Sequence, residues 1–460
     1  MTELSVERTA IPGLLVVRLP VHGDSRGWFK EGWQREKMTA LGLPDFGPVQ
    51  HNISYNAARG ATRGIHAEPW DKYVSVATGR VFGAWVDLRA GESFGTTVTV
   101  EIDESVAVYV PRGVGNSYQA LEDGTAYTYL VNAHWRPGIT YPALALDDPS
   151  AAIEWPIPLA ESEISAKDQA NPRLAEVTPF APRPPVILGA GGQVGRALQA
   201  LLPDAVALGS ADLDLTDAAA IAAYDWSQHD VVINAAAMTA VDAAETGEGR
   251  QLAWAVNATA VAALARAAVE HRFTLVHYSS DYVFDGEAHA HPEGEALAPL
   301  GVYGQSKAAG DLAVTVAPRH YVLRTSWVIG DGGNFVSTMA RLADTGVSPS
   351  VVDDQHGRLT FAEDLAAATV HLVRSEAPFG VYNCTNAGEQ ATWADIAREV
   401  FVARGRAAGE VTGVSTAEYA AGKTISPRPT HSLLPLDKLA ATGFEPRDQW
   451  DALREYLRRL

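Results

Sequence analysis

Cysteine is nearly absent from this chain: Cys384 is the one thiol in 460 residues. A single cysteine excludes an internal disulfide framework and a cysteine-based zinc site. It fits a reducing, cytoplasmic compartment. Basic residues are also short, with 36 Lys and Arg against 55 Asp and Glu and a formal net charge of −19. Nucleic-acid binding asks for a basic face, so neither that partner nor an anionic membrane surface is expected. No apolar run reads as long enough to span a bilayer. The N-terminus, MTELSVERTAIPG, lacks the basic-then-apolar order of a secretory signal. Disorder is excluded as well, because 47% of residues are apolar and only 20% are charged. At this length two to four domains are expected, each able to bury a core.

What is present changes character near the middle. Residues 1–177 read as β-rich. Tyr73–Thr78 and Val81–Leu88, separated by Gly79-Arg80, look like paired strands, and Ser105–Pro111 alternates apolar and small residues. Short strands with Gly, Pro and Asp punctuation suggest a sandwich or barrel. A proline-rich stretch at 178–185 reads as a stiff linker. From Val186 to Leu460, apolar strands (Val186–Leu188, Val231–Asn234, Leu275–Tyr278, Tyr321–Arg324) alternate with alanine-rich helical stretches (around 218–223, 251–271 and 304–317). That alternation predicts a parallel α/β sheet.

The second half carries a nucleotide signal. Val186–Leu188 runs into Gly189-Ala190-Gly191-Gly192-Gln193-Val194-Gly195 and then a helical stretch. Glycines there permit a tight turn and let backbone N–H groups approach a pyrophosphate at a helix N-terminus. By itself such a loop can also be an ordinary strand–helix turn, the lesser of the two readings. Tyr303 and Lys307 stand four apart and share a helix face. The lysine can hold a ribose hydroxyl and lower the phenol's pKa, and the tyrosine can protonate a carbonyl as hydride arrives. Ser280 follows an apolar strand, where ligands gather in open α/β sheets, and can donate to the same carbonyl. Asn234, Ala235 and Ala236 end another strand with small residues that let a cofactor pass closely.

The stretches GAGGQVG, INAAAMTAVDAAE, HYSSDYVFDG, VYGQSK, RTSWVIG, VVDDQHGRLT and RPTHSLL resemble those of the dTDP-4-dehydrorhamnose reductase family. The resemblance covers 186–460. It implies a Rossmann-like extended short-chain dehydrogenase fold with a smaller substrate-binding part, and reduction of the C4 ketone of a dTDP-6-deoxy-hexulose. It makes Ser280, Tyr303 and Lys307 the catalytic triad, with Ser280 where threonine is usual. Trp327 would line the sugar pocket and Arg428 would sit near the nucleotide end. Plain core packing is the competing reading of Trp327. The family's metal-binding glutamate is replaced by Ala197, so no metal is expected. No carboxylate follows the second strand at Leu208-Gly209-Ser210-Ala211. NADPH is therefore tolerated and NADH stays open. Asp214 faces either the adenine end or a solvated turn.

In the first half, DSRGWFKE, TRGIH and SAKD, in that order, resemble dTDP-4-dehydrorhamnose 3,5-epimerase, an all-β cupin-type jelly roll. Carried over, His66 is the base, Asp168 its orienting partner, Lys72 the group that stabilises an enolate, and Tyr129 the proton donor on the other face. Arg26 and Arg63 would bind the diphosphate, and Phe29, Glu31, Gln50 and Asn52 would hold the nucleotide or line the site. The chain departs from the family at Asn116, where a histidine is usual, and also at Gly83 and Trp135. The joint expectation is a bifunctional enzyme of dTDP-L-rhamnose biosynthesis that epimerises and then reduces. A non-catalytic or single-centre barrel, or a related deoxysugar pathway, are the alternatives. A homodimer through the N-terminal barrel is compatible with the resemblance.

Overall fold

The computed structural model describes residues 3–135 and 137–460. The chain divides into two compact units, Met1–Pro182 and Arg183–Leu460.

The first unit is two sheets. Ser5–Arg8, Leu15–Arg18, Val106–Val110, Lys72–Thr78, Thr125–Val131 and Gln50–Asn56 form one, in that order and antiparallel throughout. Glu163–Ile164, Ala61–His66, Val114–Ala120, Val81–Asp87 and Thr97–Ile102 form the other. Val16, Val74, Val76 and Val108 of the first sheet meet Val81, Trp85, Ile102 and Tyr118 of the second in one solvent-free cluster. Val106–Val110 is buried on both faces. Ala107 and Tyr109 turn to the outer side, where Met38, Leu43 and Phe46 cover them. This explains why a strand that reads as alternating carries no polar residue.

One expectation is corrected here. Lys72–Thr78 and Val81–Asp87 are strands, but they do not pair with each other. The two residues Gly79-Arg80 carry the chain from one sheet to the other. Gly79 has φ +77°, and a Cβ there would lie 2.3 Å from the Thr125 hydroxyl, so the corner admits only glycine. A short Gly-containing link serves a sheet crossing as well as a hairpin. Only the partners, Val106–Val110 and Thr125–Val131 on one side and Val114–Ala120 on the other, decide between them. Within the proline-rich stretch, Phe180 bonds to Leu88 and Ala90 and so belongs to the first unit.

The second unit is built on a six-stranded parallel sheet in the order Val206–Leu208, Val186–Leu188, Val231–Asn234, Thr274–Ser280, His320–Thr325, Gly380–Asn383. Helices cover both faces. Val261, Leu264, Ala265 and Ala268 pack on one, and Leu198, Leu365, Ala368 and Leu372 on the other. A satellite core of Val336, Met339, Ile396, Phe401, Leu453 and Tyr456 forms a smaller lobe.

The expectation about apolar runs also needs correcting. The helical run Gly247–His271 is long and apolar enough by length and composition to cross a membrane. Its apolar side packs on the sheet, with Val261, Leu264 and Ala265 fully buried. That is the pattern of a core helix.

Candidate active sites

In the first unit, a cavity of about 720 Å³ opens between the strands, a size suited to a small organic ligand. His66 ends the strand Ala61–His66, and Asp168 sits in the short helix Ala166–Gln169, capped by Ser165. His66 Nε2 lies 2.7 Å from Asp168 Oδ1. Burial pushes the Asp168 carboxyl up, but the hydrogen bond and charge of His66, the Ser165 hydroxyl and the Gly64 N–H outweigh it and hold the group below its ordinary range. An ionised Asp168 accepts, so Nε2 carries the ring proton and Nδ1 is left as the basic nitrogen. Lys72 is buried and ion-paired with Glu68, and its Nζ lies 5.6 Å from the centre of the Tyr129 ring. Burial, reinforced by the charge of Glu68, raises the Tyr129 pKa, so this phenol keeps its proton.

The cavity brings together His66, Lys72, Tyr129, Asp168, Arg63, Gln50 and Asn52. Arg26, Phe29 and Glu31 are not among its lining residues. They lie on or beside the exposed hairpin of His22–Asp24 and Gly27–Phe29, where Arg26 pairs with Asp24 at 2.5 Å and Glu31 with Lys37 at 2.6 Å. Phe29 and Glu31 instead line a separate hollow with His22, Gln34 and Met38. Asn116 does line the cavity, and its Oδ1 accepts from Trp85 Nε1 at 2.9 Å and from the Tyr127 hydroxyl at 3.2 Å. A fixed neutral amide therefore stands at this point of the cavity. Sequence reasoning missed Glu68 and Tyr141. Tyr141 comes from an irregular segment with no periodic signal. Its ring lies 5.8 Å from that of His66, and Lys167 hydrogen-bonds it.

In the second unit, Ser280 closes the strand Thr274–Ser280, while Tyr303 and Lys307 lie one turn apart on the helix Val302–Val314. All three are buried or nearly so. Burial, aided by the charge of Asp281 and opposed by Ser280, raises the Tyr303 pKa well above that of a free phenol. Burial takes Lys307 down to about 8, against the pull of Asp311. The expected role of Ser280 is refined, because its hydroxyl donates to Asp281 Oδ1 at 2.7 Å and accepts from Tyr282 N–H at 3.1 Å. It must turn away from Asp281 to donate to a carbonyl.

The glycine loop fits a dinucleotide. A Cβ on Gly189 would sit 2.6 Å from the Ala236 nitrogen, and one on Gly195 2.3 Å from the Gly189 carbonyl oxygen. A Cβ on Gly191 would meet nothing within 4 Å, which leaves that backbone open to an approaching phosphate. Gly192 caps the helix Gln193–Leu201, which contains Val194. Asn234 Oδ1 accepts from the Ala236 N–H and orders the strand end that includes Ala235. Asp214 is exposed, and its carboxylate accepts from both the Thr216 N–H and the Thr216 hydroxyl. Arg428 pairs with Asp242 at 3.0 Å and also bonds Tyr282, whose ring lies 5.7 Å from that of Tyr303. Trp327 is half-buried with φ +47°, stacks on Trp393 at 3.9 Å and packs against the core of the smaller lobe. Among the described residues, no group of three or more His, Cys, Asp or Glu is placed to hold a metal.

Comparison with known proteins gives two matches in series. Residues 185–460 match the RmlD substrate binding domain, and residues 8–176 match dTDP-4-dehydrorhamnose 3,5-epimerase. The first half is similar to the protein RmlC homolog of Streptococcus pyogenes serotype M6, 47% identical over 180 residues that cover 38% of this chain and 90% of that one. The second half is similar to the dTDP-4-dehydrorhamnose reductase of Aggregatibacter actinomycetemcomitans, 38% identical over 290 residues, covering 58% and 96%. It is also similar to the solved dTDP-4-dehydrorhamnose reductase of Bacillus anthracis in complex with NADP. There the identity is 31%, the coverage 60% and 99%, and the TM-score 0.55.

Proposed function

The chain belongs to the RmlD substrate binding domain family over residues 185–460 and to the dTDP-4-dehydrorhamnose 3,5-epimerase family over residues 8–176, and on that premise we propose that it performs two consecutive steps of dTDP-L-rhamnose formation. The cupin-type first unit epimerises dTDP-4-keto-6-deoxy-D-glucose at C3 and C5. The second, an extended short-chain dehydrogenase, reduces the C4 ketone. The observation that carries the reading is the His66–Asp168 pair, 2.7 Å apart at a cavity that Lys72 and Tyr129 also line.

Protons beside a C4 ketone are acidic once the enolate is stabilised. His66 Nδ1 takes one, and the C–H electron pair passes into the enolate. Lys72 faces the developing oxyanion, with Glu68 holding its Nζ in place. Tyr129 returns a proton to the opposite face. In the second unit the glycine loop at Gly189–Gly195 and the Asn234 strand end would hold NADPH, which would supply hydride to the ketone carbon. Tyr303 gives its phenolic proton to the carbonyl oxygen. Lys307 lies within one helical turn to hold the ribose and the phenol, and Ser280 steadies the carbonyl after leaving Asp281. Trp327 and Arg428 bind the sugar and nucleotide ends. One chain supplies both sites in equal number and raises the local concentration of the intermediate.

The test supplies dTDP-4-keto-6-deoxy-D-glucose and NADPH, follows cofactor oxidation and identifies the product by NMR. The wild type consumes NADPH and yields dTDP-L-rhamnose. His66→Ala does not, until a separate 3,5-epimerase is added. Unchanged turnover in His66→Ala would sink the epimerase half, and no oxidation by the wild type would sink both halves.

A second reading, epimerisation at one centre, is favoured by Asn116, locked where the family has a histidine. Deuterium incorporation at C3 and C5 in heavy water separates the two. We further assign the chain to the cytoplasm, and its barrel to a homodimer. The exposed Trp28 and Phe29, and Ile53 and Tyr55 along the edge strand, support that pairing, which light scattering tests.

A further inference from the structure

Behind the reductase triad, three buried side chains form a chain of hydrogen bonds whose donors and acceptors admit few arrangements. Asn234 and His277 are register partners on adjacent parallel strands, and both are shut off from solvent. Asn234 Oδ1 accepts from the Ala236 N–H at 3.2 Å, which turns its Nδ2 toward His277 Nδ1, also at 3.2 Å. An amide nitrogen has no lone pair to offer, so Nδ1 accepts and the single proton of a neutral imidazole resides on Nε2. Burial holds the His277 pKa well below its ordinary value, so the ring is neutral. Nε2 lies 3.2 Å from Lys307 Nζ, which itself donates to the Tyr278 carbonyl. An Nε2–H can bond only a nitrogen with a free lone pair. An ammonium in that place would set donor against donor. Turning the Asn234 amide would relieve that clash only by setting its NH2 against the Ala236 N–H, at a cost of about 1–3 kcal/mol for the unsatisfied donor.

We propose that Asn234 and His277 are positioning residues of the reductase: Asn234 fixes the Nε2–H tautomer of His277, and that N–H biases Lys307 toward the neutral amine in the free site. The proposal rests on the reductase reading above and adds a control to it. Tyr303 must hold its proton until a ketone arrives, and then lose it to the carbonyl oxygen. An amine one helical turn away, in place of an ammonium, lets the phenol keep that proton over a wider pH range.

The other charged groups around Lys307 do not remove this control. Asp311, one turn along the helix, favours the ammonium, but it is itself ion-paired with Arg324 at 3.0 Å. Asp281 acts on Tyr303, raising its pKa, and belongs to the Ser280 end of the site.

Two measurements on the full chain test this. Long-range proton–nitrogen correlation of His277, assigned through its backbone, reads the tautomer without any turnover. Expected between pH 6 and 9 is a protonated Nε2 and a bare Nδ1. A proton on Nδ1 overturns the proposal even if the enzyme reduces its substrate. The second measurement is the pH profile of NADPH-dependent reduction by His277→Gln, which can turn its amide oxygen to Lys307 and accept from an ammonium. The alkaline limb should move down by about one pH unit, with NADPH affinity within twofold of the wild type. An unmoved limb in a His277→Gln protein that binds NADPH also overturns it. If that variant does not fold, the wild-type spectrum decides alone. A wild type that reduces no ketone refutes the reductase reading, while the tautomer still reports on His277.

Discussion

Asp281→Asn should make the second unit more stable at neutral pH. Asp281 is 2% exposed, and its Oδ1 accepts from Ser280. Oδ2 has no hydrogen bond of full geometry, while the Ser432 hydroxyl lies close enough to draw the carboxyl down more than Ser280 does. Burial raises this carboxyl from 3.8 to about 6, and the hydroxyls of Ser432 and Ser280 pull it back only in part. A shift of about two units corresponds to about 3 kcal/mol between the protonated and ionised forms. The sign follows from proton counting. Between pH 4 and 6 the folded state holds this proton and the unfolded chain does not. The stabilisation is therefore complete below about pH 4 and is lost as pH rises through 6. Above pH 6 the wild type carries a buried charge that an asparagine would not, while the amide oxygen still accepts from Ser280. Asp281→Asn should exceed the wild type by up to about 3 kcal/mol at pH 7.5. In a unit of this size that raises the melting temperature by roughly 5–10 °C. Scanning calorimetry on the full chain reads it, with the transition that shifts on adding NADPH assigned to the second unit. The gain should shrink toward zero as the pH approaches 4. No gain at pH 7.5, or a gain independent of pH, refutes the reasoning.

The same logic yields further expectations. Asp168→Asn places an amide where the His66 Nε2–H meets a carboxylate, so epimerisation, read as deuterium incorporation in heavy water, should fall by about 10²-fold or more. NADPH binding should not change. Because the Asp168 carboxyl is held below its ordinary range, the first unit keeps that stabilisation across neutral pH and loses it only as pH falls through the carboxylate range, where the wild type should lose more melting temperature than Asp168→Asn. Gly195→Ala would bring a Cβ to 2.3 Å from the Gly189 carbonyl oxygen. NADPH affinity, followed by fluorescence titration, should drop by at least about tenfold, the effect of about 1.4 kcal/mol, and epimerisation should persist. Trp393→Leu removes the ring stacked on Trp327 at 3.9 Å. A stack of this kind contributes about 0.5–1.5 kcal/mol beyond its area, so the reductase KM for the sugar nucleotide should rise about two- to tenfold with kcat less affected. An unchanged KM would mean that Trp327 needs no support.

The parts of this protein that local sequence could specify were legible, and the exceptions share a cause. The parallel sheet is announced by apolar runs such as Val186–Leu188, which ends at Gly189, because a strand buried on both faces leaves an unbroken apolar run. Ser280, Tyr303 and Lys307 were readable because each sits at a fixed place in its own element, a strand end or one helix face. Gly79-Arg80 was not, since the same two residues can close a hairpin or cross between sheets, and the choice is made by strands remote from them in sequence. Glu68 and Tyr141 reach the first cavity from irregular backbone, where no period betrays a direction. His277 shows the limit best. Its neighbours in sequence mark it only as a strand residue. Its role appears once the register sets Asn234 beside it on the next strand and Lys307 faces it from a helix 30 residues on. Resemblance supplied the identities of Arg26, Phe29 and Glu31 in the same way, without their positions. The fold sets them on or beside a hairpin outside the cavity lining.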